Sequence, residues 1–281
     1  MTSTSVSSLK KAVAEAFDSI RQKRPMIHQI TNYVVMNLTA NATIHVGASP
    51  VMAHAVEEVE EMASLANALV INVGTLSESW IRGMNLAGKR ANEKGIPIVF
   101  DPVGVGATTY RTEVIIKMFD SLDIAILKGN SGEIGKINKE QVLVRGVDSL
   151  TGAADPCETV RQLAQKRNKK TVVALSGKTD YVSDGDRVVI IKNQCDRLNQ
   201  LTGMGCTVSA LMACFAGVTK DYLVAAVGGF VVMSVCAELA AKDQNVCGAA
   251  SFQVALFDRF STVTGSELEK FMDIEILDDH N

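Results

Sequence analysis

Aromatic side chains are scarce in this 281-residue chain, at 5% of positions with a single tryptophan, so the bases of a nucleic acid would find few rings to stack on. Basic charge is not in surplus either: 28 Lys and Arg stand against 31 Asp and Glu, for a net charge of -3. That balance supplies no attractive field for a phosphate backbone, and nucleic acid is not expected as a partner. The six cysteines (Cys157, Cys195, Cys206, Cys214, Cys236 and Cys247) include no C-x-x-C pair, and only four histidines accompany them. Zinc-like spacing is absent, and the cysteines read as reduced thiols of a cytoplasmic protein. Met1 to Ser8 shows no basic segment followed by an apolar run, so no secretion signal is expected. Also missing are G-x-x-x-x-G-K-[ST], which excludes a Walker-type phosphate loop, and G-x-G-x-x-G after a first strand, which counts against a nicotinamide-dependent oxidoreductase.

Long uncharged runs are present, at Leu198 to Thr219 and Tyr222 to Ala237. The first contains Asn199, Gln200 and Thr202, and the second is shorter than the roughly 20 residues that cross a bilayer. Two helices buried on all sides are expected, and no membrane partner. Four β-branched runs, Ala68 to Gly74, Ile96 to Asp101, Ile124 to Lys128 and Thr171 to Gly177, read as strands covered on both faces. Helical spacing of Trp80, Ile81, Met84, Ala87 and Ala91 marks a helix between Ser77 and Lys94. Asp155-Pro-Cys-Glu158 is a capped helix start. The alternation predicts an α/β fold: a mostly parallel sheet between two layers of helices, with ligands at the strands' carboxyl ends. Asp-Gly within Asp180 to Ile191 predicts a hairpin, which makes the sheet mixed. No repeat or long linker divides the chain, so one domain spanning 1–281 is expected, with a frayed tail at Asp278 to Asn281.

Thr202-Gly-Met-Gly-Cys-Thr207 leads into the first uncharged run. Backbone N–H groups of Gly203, Met204 and Gly205 at such a helix start would bind an anion, whereas the plainer alternative is a tight turn with Cys206 as a small core residue. On the functional reading, the helix N-terminus lowers the Cys206 pKa and makes a thiolate available as base or nucleophile, whereas a nearby triphosphate would push the pKa back up. Asp101, at the end of a buried strand, suits a metal ligand or a turn residue. Lys128 would neutralise phosphate, and Glu133 would either join Asp101 at a metal or serve in a helix cap begun by Asn130 or Ser131. Ser176 offers a hydroxyl at another strand end. His28, Asn32 and the Gly47 to Met52 stretch mix polar and apolar groups as a pocket for a small heterocycle would, although His28 and Asn32 equally suit buried polar groups with local partners.

Taken in order, Ile30-Thr-Asn-Tyr-Val-Val-Met-Asn37, Gly47-Ala-Ser-Pro-Val-Met52, Asp101-Pro-Val-Gly-Val-Gly-Ala-Thr108, Lys128-Gly-Asn130, Asp180-Tyr-Val182 and Thr202-Gly-Met-Gly-Cys206 resemble the hydroxyethylthiazole kinases of thiamine biosynthesis and salvage, from about Ser8 to about Val263. The resemblance implies a ribokinase-like three-layer αβα sandwich. It implies transfer of the γ-phosphate of ATP to the primary alcohol of 4-methyl-5-(2-hydroxyethyl)thiazole, with Mg²⁺, in a homotrimer with active sites between subunits. By matched position it places Met52 and Gly203 at the thiazole, Lys128 and Ser176 at the nucleotide, Asp101 and Glu133 at the hydrated metal, and Cys206 at the alcohol. Lys128 and Ser176 depart from an expected arginine and threonine. Three alternatives stay open: a ribokinase-like kinase for another alcohol such as hydroxymethylpyrimidine, a thiol-dependent enzyme working through Cys206, and a nucleotide-binding protein without catalysis.

Overall fold

The computed structural model describes residues 5–138, 144–145, 148–149, 155–168 and 170–278. The first half alternates α1 (Val6–Lys23), β1 (Met26–Ile30), α2 (Met36–His45), β2 (Ser49–Val51), α3 (Val59–Leu65), β3 (Ala68–Asn72), α4 (Glu78–Lys94), β4 (Ile98–Asp101), α5 (Thr109–Ser121), β5 (Ile126–Asn130) and α6 (Ser131–Ile137). A two-stranded ribbon, β6 (Val144–Arg145) and β7 (Asp148–Ser149), precedes α7 (Pro156–Lys166), β8 (Val172–Ser176), β9 (Asp180–Ser183) and β10 (Arg187–Ile191). The chain closes with α8 (Met204–Ala216), α9 (Tyr222–Ala241), α10 (Ala249–Thr262), α11 (Gly265–Phe271) and β11 (Ile274–Asp278).

Nine strands form one sheet in the order β11-β10-β9-β8-β5-β4-β3-β1-β2. From β2 to β8 the pairs are parallel, and β9, β10 and β11 add antiparallel edges. The expected mixed sheet and the hairpin are both present; Gly185, at φ 97°, makes the turn between β9 and β10. Strand interiors alternate between the two faces. Ala68, Val70, Val99, Ile126 and Ala174 enter one core with α1, α2, α8, α9, α10 and α11, while Leu69, Ile71, Phe100, Leu127 and Val173 enter the other with α3 to α7. Helices on both faces satisfy the two-sided burial that the apolar runs demanded.

Helix starts follow local chemistry. Ser77 caps α4 by accepting from the Trp80 N–H, and Asp155 caps α7 with Pro156 at its first position. Helix α9 is long and apolar enough to cross a membrane, yet 89% of its apolar window is buried inside the protein. It is a core helix, packed on α8 so closely that a Cβ at Gly229 would lie 2.4 Å from Met212 Cγ.

Three strands depart from expectation. In β1, His28 and Gln29 interrupt the apolar run although both are buried, and β2 is only three residues long around Pro50. Asp278, expected in a frayed tail, instead ends β11, where it pairs with Arg187; 279–281 lie outside the described residues. All six cysteines are free thiols.

Candidate active site at the carboxyl ends of the strands

Register and alternation assemble the centre. Asn72 pairs with Asp101, and Leu127 pairs with Phe100, so Lys128 lies beside Asp101 at the same height of the sheet. Each is two residues beyond a side chain of the α8-facing core, Val70, Val99 and Ile126 respectively, and the period-2 pleat therefore turns all three toward α8. Asp101 is 1% exposed. Its Oδ2 accepts from Asn72 Nδ2 at 3.0 Å and from Ser209 Oγ of α8 at 2.7 Å, while Oδ1 has no hydrogen bond among the described residues. Burial raises the Asp101 pKa; the neighbouring Lys128 charge and the two hydrogen bonds oppose that rise.

Lys128 is 4% exposed. Among the described residues its ammonium makes no hydrogen bond or ion pair, and a Cβ on Gly205 would stand 3.0 Å from Nζ. Burial alone would lower the lysine pKa, but Asp101, Glu133, Cys206 and Asp180 raise it above its ordinary value. A charged ammonium is thus held beneath the glycine turn without a direct partner, which is a cationic floor awaiting an anion.

Glu133 takes the helix-cap reading. Asn130 Oδ1 accepts from the Glu133 N–H at 2.9 Å and Glu133 Oε2 accepts from the Asn130 N–H at 2.8 Å, a reciprocal cap on α6. Its other oxygen accepts from the Gly104 N–H at 2.8 Å, tying the loop after β4 to the cap. Arg111 grips the same region: its guanidinium donates to the carbonyls of Val73, Val103 and Gly74.

Burial, then the Asp101 charge, pushes Glu133 up to about 7, and burial likewise takes Asp180 to about 7. Each acid then binds more protons folded than unfolded from its ordinary range up to that value, so stability falls as pH rises through this window. His28, whose pKa burial lowers, acts in the opposite sense and mainly below its ordinary 6.5. In metal-free buffer the melting temperature should therefore drop between about pH 5 and about pH 7 and level off above, and Glu133→Gln should flatten the slope; a slope unchanged in the variant would contradict this origin.

Gly203 opens α8 at φ 82°, a conformation that favours glycine, and no side chain caps the helix. The first backbone N–H groups of α8, from Met204 onward, are therefore open to an anion. Cys206 does not behave as the helix terminus alone suggested. Burial, followed by the adjacent Asp101 charge, pushes its thiol up to about 12, overriding the favourable contributions of Lys128, Asn72 and Asn32. The expected thiolate is absent at neutral pH.

Asn32 belongs to the centre: its Nδ2 donates to Asn72 Oδ1 at 2.9 Å and contacts Cys206 Sγ at 3.6 Å. Met52 and Ser176 stand further out, Met52 just past edge strand β2 and Ser176 at the end of β8, where its Oγ donates to Gly129 O at 3.3 Å. His28 is buried, its Nε2–H donating to Ala53 O at 2.7 Å while its Nδ1 has no hydrogen-bond partner among the described residues. Asn72, Ser209, Arg111 and Asp180 were not singled out as site residues from the sequence. Asp180 accepts from the Gly177 N–H at 3.0 Å and lies within electrostatic reach of Lys128. The one signal for Asn72 was a polar residue closing a buried apolar run.

Two carboxylates with hard oxygen donors, one with a free oxygen, suit a divalent cation that keeps most of its waters. Among the described residues no cluster of three or more His, Cys, Asp or Glu could enclose an ion.

Comparison with known proteins bears on the family and the fold. The family model described as "Hydroxyethylthiazole kinase family" matches residues 17–266. A hydroxyethylthiazole kinase of Desulforudis audaxviator is 48% identical over 272 residues, covering 97% of this chain and 98% of the relative. The solved structure of a hydroxyethylthiazole kinase protein from Pyrococcus horikoshii superposes with a TM-score of 0.82 at 39% identity, covering 95% of this chain and all of that one. A ribokinase-like superfamily protein of Enterococcus faecalis, 13% identical, shares the fold at a TM-score of 0.64 over 91% of this chain and 95% of that one. Fold, strand-end chemistry and likeness over nearly the whole length lead to one assignment: the chain belongs to the hydroxyethylthiazole kinase family, with the ribokinase-like fold.

Proposed function

We propose that this protein, as one kinase domain in the cytoplasm, transfers the γ-phosphate of ATP to the primary alcohol of 4-methyl-5-(2-hydroxyethyl)thiazole. The observation that carries the reading is Lys128, a buried ammonium with no direct partner under the open N-terminus of α8. Phosphoryl transfer through a loose transition state needs positioning and charge neutralisation more than covalent help. The N–H groups of the 203–205 turn and Lys128 supply that neutralisation, and Asn32 and Met52 face the heterocycle. Ser176 and Lys128 contact the nucleotide. Asp101 and Glu133 would hold hydrated Mg²⁺, which, when bound, neutralises phosphate charge. Lysine in place of a guanidinium gives a point charge rather than a fork, so nucleotide selectivity rests more on the turn.

Cys206 lies beside the accepting hydroxyl as a protonated thiol, a poor base and a poor nucleophile. The thiol-dependent alternative loses its nucleophile on this ground. Cys206→Asp should keep activity or raise it, because a carboxylate is the better proton acceptor; complete loss of turnover in a folded variant would remove any base role from this position. Tyr33 and Val34, each 68% exposed beside Asn32, leave an apolar margin that a second copy would cover in the proposed homotrimer.

The test is Mg²⁺- and ATP-dependent phosphorylation of the thiazole alcohol by the purified protein, run beside hydroxymethylpyrimidine and ribose. Preferential phosphorylation of the thiazole is expected. An inert thiazole with a reactive pyrimidine would keep the fold and overturn the substrate, and no turnover with any alcohol would favour a non-catalytic nucleotide-binding protein.

A further inference from the structure

We infer that Trp80 is a positioning residue that braces the two walls of the heterocycle pocket and so sets which ring the kinase accepts. The inference rests on the proposed function, since it takes Asn32 and Met52 as those walls. They lie on separate segments, after β1 and after β2, on neighbouring strands at one edge of the sheet. Each segment has its own anchor. The Tyr33 N–H donates to Thr75 Oγ1 at 3.4 Å, and Ala53 O accepts from His28 Nε2 at 2.7 Å.

Trp80 contacts both segments. Its indole stands 5.0 Å from the ring of Tyr33, next to Asn32, and 4.8 Å from the imidazole of His54, two residues past Met52. Such tilted ring contacts add to the burial of a large apolar surface. The indole itself is 3% exposed and sits in the first turn of α4, where the Ser77 cap holds its backbone N–H. One turn later, a Cβ on Gly83 would lie 2.8 Å from His54 O, so the helix backbone presses directly on the Met52 segment. Helix α4 therefore acts as a rigid mount and Trp80 as the strut between the walls.

Shortening the strut loosens the Tyr33 and His54 sides of the two segments, while the Asn32 amide keeps its contacts with Asn72 and Cys206 and the phosphate end, built on β3, β4, β5 and α8, keeps its own bonds. Trp80→Leu should raise KM for the thiazole alcohol about tenfold while kcat falls less, because a changed apolar pocket is worth 10- to 200-fold in discrimination. The kcat/KM preference for thiazole over hydroxymethylpyrimidine should shrink by a similar factor, and Trp80→Phe should restore most of it. Loss of thermal stability alone, with both ratios intact, would overturn the inference.

A second readout needs no variant. Trp80 is the chain's single tryptophan, so its emission should shift and saturate when the thiazole alcohol is titrated into the wild-type protein without ATP. Unchanged emission in a protein that phosphorylates the thiazole would overturn the brace even if Trp80→Leu does not fold. If the wild-type protein leaves the thiazole inert and phosphorylates the pyrimidine, the functional reading fails instead, and the brace is decided by the same emission titration with the pyrimidine.

Discussion

Lys128→Met is expected to lower kcat by about 10²–10³, the range seen when a single donor to developing charge is removed from an enzyme site. Methionine preserves the length and packing of a side chain that is 4% exposed, so the fold should persist. Two effects add. The cation beneath the Gly205 turn disappears, leaving the N–H groups of α8 to meet the phosphate alone. The charge that opposes protonation of Asp101 and Glu133 also disappears, so both acids should rise further above their ordinary range. Protonated carboxyls hold Mg²⁺ poorly, and the half-saturating Mg²⁺ concentration should increase at neutral pH. Steady-state rates across a Mg²⁺ series, alongside thermal melts, separate these contributions. A variant within threefold of wild type would refute the role given to Lys128.

Gly203→Ala carries the second large effect. At φ 82° an L side chain is strained, and the added Cβ would stand 2.5 Å from Val35 Cγ1 and 3.1 Å from Leu38 Cδ2. Val35 and Leu38 belong to the start of α2, directly after the Asn32 turn, so relief of the clash moves either the anion turn or the Asn32 segment. Strain of this kind costs about 1–3 kcal/mol in stability. A misplacement near 1 Å costs about 10² in rate, which is the expected fall in kcat/KM. Initial-rate kinetics with both substrates varied would show it, and retention of more than a third of the wild-type kcat/KM would contradict the turn's assigned role. The same substitution at Gly205 meets only the mobile end of Lys128 and should be milder for the fold.

Much of this candidate site is legible in the sequence because its polar groups fall where apolar runs stop. Asp101 and Lys128 each follow a buried strand interior, and the glycine turn precedes an uncharged helix, so their places were readable from pattern alone. Glu133 was readable both as a cap and as a metal ligand; the structure uses it as the cap and ties it to the Gly104 N–H, and its metal role is a proposal. Ser209 was not readable: it sits among small apolar neighbours on α8, and its partner Asp101 is 108 residues away. Asn72 needed the strand register, which depends on the two parallel neighbours of β3, β1 and β4, rather than on local spacing. The lowered Cys206 pKa expected from a helix start is not found, for a related reason. Sequence shows a helix start, which favours a thiolate, but not the burial and the facing carboxylate that outweigh it. Strand β1 was obscured because His28 and Gln29 place polar side chains inside the core, bonded to Ala53 O and Thr43 Oγ1, where an apolar run would have announced it.

Helix α8 carries the anion turn at one end and packs through Met212 and Phe215 against Gly229 and Gly228 of α9 along its length. Contacts that close leave no room for one helix to separate from the other in small steps. The backbone amides of residues 207–216 should exchange their hydrogens with solvent only in global openings of the molecule, at the slowest rates in the chain. Heat inactivation should follow the same event, so that loss of kinase turnover and loss of helical signal coincide on a melting curve instead of activity failing first.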